Sequence, residues 1–440
     1  MSNPNEKGGA PTKTPSYAWV ILATVYLLSV AAAMFWFSVP PTANAIIPTY
    51  IVQLGVENIN ANFGALMSHL AFGALIAALI ASVLQSKIGI KWIMVIAAVC
   101  ILGGSLIAAL SGDSYNMLVA SRWVGGFGVG FVAVSATTAV SMWFGDDRRA
   151  LALAIWATWV PVAMLIVFNL VAPQAIQPDM GPNGPVLNDH GTPVFGNIHF
   201  VWWFVVVVAA IAFVLALVAY RNPEGAGGHG GGSLKDGLAF IKNRQVIALM
   251  FCMFFYTFVS NCFTTYNVTF MTDAVENGGF GMDSATANLI ASVASASGII
   301  APLFGAIYDK IEYNKKYLMI AAGGLFYLLS CIVGFKAWGM VVFVLYILFM
   351  ILANAILCAT VRSTMPMLVG RGGFVAVSLG MSLMVFLEFF GQVFTNLFGS
   401  AVDAFGWATA SFVVAVPVAV LLVISGLLIK PSSKPQAQMQ

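Results

Sequence analysis

Long apolar runs separated by short polar breaks fill almost the whole chain. Twelve can be counted, roughly at 17–45, 61–86, 91–111, 115–144, 149–173, 199–220, 245–272, 284–308, 317–335, 339–367, 374–400 and 404–429. Each supplies about 20 mostly apolar residues, enough to cross a bilayer as a single helix. A helix satisfies its own backbone polar groups, which lipid cannot do. The pattern therefore predicts an all-α integral membrane protein with twelve transmembrane helices. The weakest division lies between spans 9 and 10, where only Lys336 and Gly339 mark the turn.

The basic residues give this ladder a direction. With the N-terminus inside, sixteen of the nineteen lysines and arginines fall on the cytoplasmic side; Lys336 falls outside, and Arg122 and Arg362 fall within spans. Such a bias predicts a multi-pass protein of the cell (inner) membrane with both termini cytoplasmic.

The stretch 221–244 (RNPEGAGGHGGGSLKDGLAFIKNR) is glycine-rich and cytoplasmic in this scheme. It reads as a flexible linker between a six-helix bundle at 17–220 and a second at 245–429. Residues 1–16 and 430–440 read as cytoplasmic tails, and the first run as a retained span rather than a cleaved signal. The outer loop 173–198 is rich in Pro, Gly and Asn, and its sequence fits an ordered cap or a mobile lid equally.

Composition agrees. Hydrophobic residues make up 60% of the chain and charged residues 8%, against about 25% charged in soluble domains. The net charge of +3 is too small to suggest nucleic acid as a partner. All five cysteines lie inside apolar runs without metal-ligand spacing. They read as packing residues, with no disulfide, metal or cofactor expected.

A short basic loop occurs twice. SVLQSKIGIK (Ser82–Lys91) follows span 2, and GAIYDKIEYNKK (Gly305–Lys316) follows span 8, 223 positions later. The repeat points to duplicated halves. Together with the span count, the central linker and the span-4 segment RWVGGFGVG (Arg122–Gly130), it resembles the major facilitator superfamily. That family's loop signature is Gly-x-x-x-Asp-Arg/Lys-x-Gly-Arg/Lys-Arg/Lys. The second copy matches at Gly305, Asp309 and Lys310, with Glu312 in place of a glycine; the first keeps Lys87, Gly89 and Lys91 but has Ser82 and Ser86 in place of Gly and Asp.

The resemblance implies two pseudo-symmetric six-helix bundles, a rocker-switch transporter working as a monomer, and a small-molecule substrate moved without covalent chemistry. It makes Asp309, Lys310 and Lys87 candidates for a cytoplasmic gate, the alternative being charges that only fix topology. It also implies that spans 1, 4, 7 and 10 line a cavity.

Ionisable residues inside spans are costly and few, so each is a functional candidate. Glu388 in span 11 is the only carboxylate in a span interior, with Gln392 and Asn396 at i+4 and i+8 on the same helical face. It is the candidate proton-coupling group; the alternative is a neutral carboxyl fixing helix packing. Arg362 in span 10 follows Asn354 and Cys358 at the same spacing. Its planar fork suits the carboxylate of a substrate or of Glu388, or it snorkels to the interface. Arg122 is read as structural, gating or substrate-contacting. His69 in span 2 is a possible proton relay to Glu388 or a neutral packing histidine.

Span 7 carries a polar stripe of Tyr256, Ser260, Thr264 and Asn267, with Asn261 and Tyr266 beside it. Lipid cannot satisfy such groups. Trp36 and Trp159 add aromatic wall candidates, and Pro40-Pro41 is expected to break the outer part of span 1. A lining of this kind suits a small solute with an apolar part and one polar end.

There is no phosphate-binding loop, channel-type filter or glycine-rich drug-antiporter signature in span 5, and no arginine in spans 2 and 8 of the kind used by nitrate carriers. Two transport classes remain open. One is proton-coupled symport or exchange of a small organic anion such as a monocarboxylate. The other is proton-coupled efflux of an amphipathic or cationic compound.

Overall fold

A computed structural model of the chain describes residues 14–144, 148–222, 243–369 and 373–430. The expected N-terminal tail, central linker and C-terminal tail lie largely outside the described residues.

The apolar runs form helices. In order they are α1 (Ala18–Trp36), α2 (Ile59–Ala81), α3 (Lys87–Ala109), α4 (Tyr115–Trp143), α5 (Leu151–Ala175), α6 (His199–Val218), α7 (Arg244–Thr272), α8 (Ser284–Lys310), α9 (Tyr313–Val333) and α10 (Met340–Val369). A last apolar stretch, Gly380–Leu428, is 49 residues long. Straight, it would measure about 73 Å, more than twice the apolar thickness of a bilayer. It breaks at Gly406, whose φ of 75° and ψ of 170° suit only glycine. The break gives α11 (380–405) and α12 (407–428), and with them twelve spans. Gly89, at φ 80°, makes the corresponding break near the start of α3, inside the first copy of the repeated loop.

Proline explains other irregularities. Each helical proline lacks the N–H that would bond the carbonyl four residues earlier. α1 stops at Trp36, and Pro40–Thr42 forms a 3-10 turn where the sequence predicted a break. α5 is interrupted around Ala157 and Thr158, at the carbonyl that Pro161 leaves unbonded. α8 passes through a 3-10 turn at Ala296–Ile299, where Pro302 has no N–H for the Gly298 carbonyl and the Ile300 N–H points to it instead.

The chain divides into two compact units. The first is Met1–Gly230 with Ser284–Ser292; the second is Gly231–Asp283 with Val293–Gln440. In the first unit α4 packs closely on α2. A Cβ on Gly126 would fall 2.3 Å from the Leu70 carbonyl oxygen, so only glycine permits this approach. The outer loop is an ordered hairpin, with β1 (Met180–Gly181) antiparallel to β2 (Gly184–Pro185). The Val194 amide donates to the Val186 carbonyl at 2.9 Å, and the Asn188 side chain accepts from the amides of His190 and Thr192 at 3.0 Å each.

In the second unit an aromatic core joins α7, α9, α10 and α12. Phe335 stacks on Trp407 with ring centres 5.9 Å apart, and Phe263 and Phe270 pack against Tyr346. Trp407 donates its indole N–H to Asp273 Oδ2 at 2.7 Å, tying the start of α12 to the end of α7.

Candidate functional site

The second unit brings the in-membrane acid and base together. α10 presents Asn354, Cys358 and Arg362 at successive turns. Arg362 Nη2 donates to Glu388 Oε2 of α11 in a hydrogen-bonded ion pair. The Glu388 side chain is 15% exposed and the Arg362 side chain 43%. A guanidinium inside a span is costly against hydrocarbon, so it must face protein, water or the membrane interface. Pro366, one turn further along α10, leaves the Arg362 carbonyl without its helical donor.

A second polar chain lies on the same α10 face. The Tyr256 hydroxyl on α7 donates to Asn354 Oδ1 at 2.7 Å, and Asn354 Nδ2 donates to Ser297 Oγ of α8, also at 2.7 Å. Tyr256, Ser260 and Thr264 form the half-buried stripe of α7. Asn267, the fourth member of the expected stripe, is buried and takes up the Tyr346 hydroxyl and Met350 Sδ. Asn261 is also buried, donating to Thr395 Oγ1 at 2.5 Å, and Tyr266 packs on Phe398 and Trp407.

Glu388 and Asn396 are half-buried and Gln392 is buried. The helical register of α11 slips at Phe394, between Gln392 and Asn396. The α7–α10–α11 face therefore offers Tyr256, Ser260, Thr264, Asn354, Arg362 and Glu388. Cys358, expected as a buried packing residue, is exposed on it. Ser297 escaped the sequence reading because a serine in a run of alanines and serines carries no sign of its partner.

In the first unit Arg122 is fully buried. Its guanidinium donates to the carbonyl oxygens of Phe35 and Trp36, each at 2.9 Å, and lies 4.5 Å from the centre of the Phe35 ring. These are last-turn carbonyls of α1 that the helix leaves without donors. A cation there also complements the negative end of the helix dipole. Arg122 thus closes the C-terminus of α1.

His69 Nδ1 accepts the indole N–H of Trp123 at 3.1 Å. An indole N–H only donates, so Nδ1 carries no proton in this state. Trp36 is buried and stacks on Phe37, and Trp159 is buried and stacks on Trp156. Tyr26 and Thr158 share a hydrogen bond of 2.8 Å and form a half-buried polar pair. Tyr26 was another residue that the sequence did not single out.

The loop residues sit at helix ends. Lys87 and Lys310 are exposed. Asp309 is 84% exposed and lies 4.0 Å from Lys316 Nζ, which itself sits over the Tyr308 ring.

Apolar helices of membrane-spanning length in two compact units, with an arginine–glutamate pair between two of them, make up a multi-pass membrane protein. The family description Major Facilitator Superfamily matches residues 25–376, and the chain belongs to that family. Its fold is similar to that of a D-xylose-proton symporter, at 14% identity and a TM-score of 0.73, covering 97% of this chain and 100% of the other. It is similar to the nucleoside transporter NupG, at 17% identity and a TM-score of 0.67, covering 94% of this chain and 100% of that one. It is also similar to a bacterial homolog of the human lysosomal transporter Spinster, at 15% identity and a TM-score of 0.67, covering 94% and 97% of the two chains. No curated protein sequence matches the chain.

Proposed function

We propose that this transporter moves a small organic anion, such as a monocarboxylate, together with a proton. The Arg362–Glu388 pair carries the reading. While Glu388 is ionised it occupies the guanidinium fork. When Glu388 takes up a proton, the fork is free for another carboxylate, and Arg binds carboxylates through two parallel N–H bonds. Proton and anion then enter together and leave together.

Charge balance supports the same reading. The resting pair is neutral, and so is the loaded site with one proton and one anion added. Only the stage with Glu388 protonated and the fork empty leaves the Arg362 charge uncompensated, at an order-of-magnitude cost of several kcal/mol, so proton and anion should enter in quick succession. Tyr256, Ser260, Thr264 and Asn354 would take the remainder of the solute. A D-xylose-proton symporter shares the fold, which makes proton coupling reasonable by analogy. Efflux of a cation is less favoured, because the only carboxylate in a span interior is already paired with arginine. In this reading the protein works as a monomer in the cell membrane with both termini cytoplasmic.

The test is uptake of radiolabelled monocarboxylates into proteoliposomes under an inward proton gradient. Arg362→Gln should abolish saturable uptake. Uptake unchanged in that variant would overturn the anion assignment.

A further inference from the structure

α8 is not a single helix. It runs as an α-helix over Ser284–Ser295, tightens to a 3-10 turn at Ala296–Ile299, and resumes at Ala301–Lys310. Gly298 and Pro302 account for the turn. The two ends of α8 also belong to different units, since Ser284–Ser292 is part of the first and Val293 onward part of the second.

The outer segment has a specific seat on the first unit. Asn44 Nδ2 donates to Ser284 Oγ at 2.5 Å, Asn288 Nδ2 donates to the Pro41 carbonyl at 3.1 Å, and Asn169 Nδ2 donates to Ser292 Oγ at 2.9 Å. Two of these partners come from irregular backbone, Pro41 from the 3-10 turn Pro40–Thr42 and Asn169 from a π-helical turn at Val167–Val171. Such departures from α-helix often mark working parts of a fold.

We propose that Asn354 is a positioning residue that sets the bend of α8, with Ser297 as its partner at the bend and Tyr256 as its partner at the site. Ser297 lies inside the 3-10 turn and is 4% exposed. The hydroxyl that Asn354 reaches is therefore buried, where a lost hydrogen bond costs more than at the surface. The amide is held from both sides, accepting from the Tyr256 hydroxyl and donating to the Ser297 hydroxyl.

Asn354 shares its helical face with Arg362, eight residues and about 12 Å along α10. A solute that draws off Tyr256 or turns the Asn354 amide breaks the bond to Ser297. The bend is then released, and Ser284–Ser292 can leave its seat. This link from solute to bend rests on the reading that the α10 face lines the transport site. The control of the bend by Asn354 does not.

The experiment therefore uses no solute and no gradient. A cysteine is placed at Ala287, which is buried in the outer segment, in full-length protein carrying Cys358→Ser. N-ethylmaleimide is the probe, and its rate of reaction in proteoliposomes reports undocking of the segment. Ser297→Ala should raise the rate about five-fold, the population shift that loss of one hydrogen bond produces. Asn354→Ala should do the same, and Ser297→Thr, which keeps the hydroxyl, should restore the slow rate. Ser330→Ala removes a buried hydrogen bond of the same unit away from α8 and should leave the rate unchanged. An unchanged rate in Ser297→Ala, or an equal rise in Ser330→Ala, would overturn the proposal. Either result would leave the proton–anion reading to its own uptake test.

Discussion

Arg362 of α10 holds the carboxylate of Glu388 on α11, so the acid and base of the spans neutralise each other within one unit. The relationship has an energetic signature. Removing either partner strands a charge inside the membrane span, whereas removing both does not. Arg362→Ala or Glu388→Ala should each destabilise the protein by on the order of 2 kcal/mol, between the values for surface and for fully buried pairs. The double variant should recover most of that loss. Melting in detergent measures all three, and strictly additive losses would mean that the two residues do not interact.

Arg122 is expected to act through structure. Its loss leaves the Trp36 carbonyl without its side-chain donor and the Phe35 carbonyl with the Ser38 hydroxyl alone. Arg122→Leu should cost on the order of 2–4 kcal/mol and lower the melting temperature, while the KM of folded protein stays close to that of the unmodified protein. A variant with normal melting and a greatly raised KM would instead place Arg122 in contact with the solute.

The close approach of α2 and α4 should tolerate nothing larger than glycine. A Cβ at Gly126 meets the Leu70 carbonyl oxygen at 2.3 Å, whereas one at Gly103 meets its nearest neighbour at 3.7 Å. Gly126→Val should therefore cost at least about 1–3 kcal/mol through overpacking. Gly103→Ala should be neutral or slightly stabilising, since alanine favours the helix. Melting temperatures of the two variants check the contrast.

His69 is fixed by the Trp123 indole, with Nδ1 in use as an acceptor. His69→Gln should therefore retain proton-driven accumulation, with only a modest change in stability. Loss of gradient coupling in that variant would make His69 a second proton carrier.

The sequence made the spans legible because lipid imposes simple rules. An apolar run has to be a helix, and Pro40-Pro41 marks the break of span 1, whereas the breaks at Gly89 and Gly406 show only in their backbone angles. Arg362 and Glu388 stood out for the same reason, since charge within a span is costly. The sequence reading left open whether the fork of Arg362 takes a solute or Glu388, because spacing along one helix says nothing of the next. The roles of Ser297 and of the Phe35 and Trp36 carbonyls were not legible. A hydroxyl or a backbone carbonyl becomes informative only when another helix delivers its partner. Trp36 and Trp159, offered as wall candidates, are buried and stacked on Phe37 and Trp156. Aromatic rings fill a core as readily as they line a cavity.

The central claim is that Glu388 carries the proton that drives uptake. The direct measurement compares monocarboxylate accumulation under a pH gradient with solute exchange at equal pH, in proteoliposomes containing the unmodified protein or Glu388→Gln. Glutamine mimics the protonated acid and leaves Arg362 free. The account predicts that Glu388→Gln keeps exchange and loses gradient-driven accumulation. Accumulation that still follows the pH gradient in Glu388→Gln would contradict it.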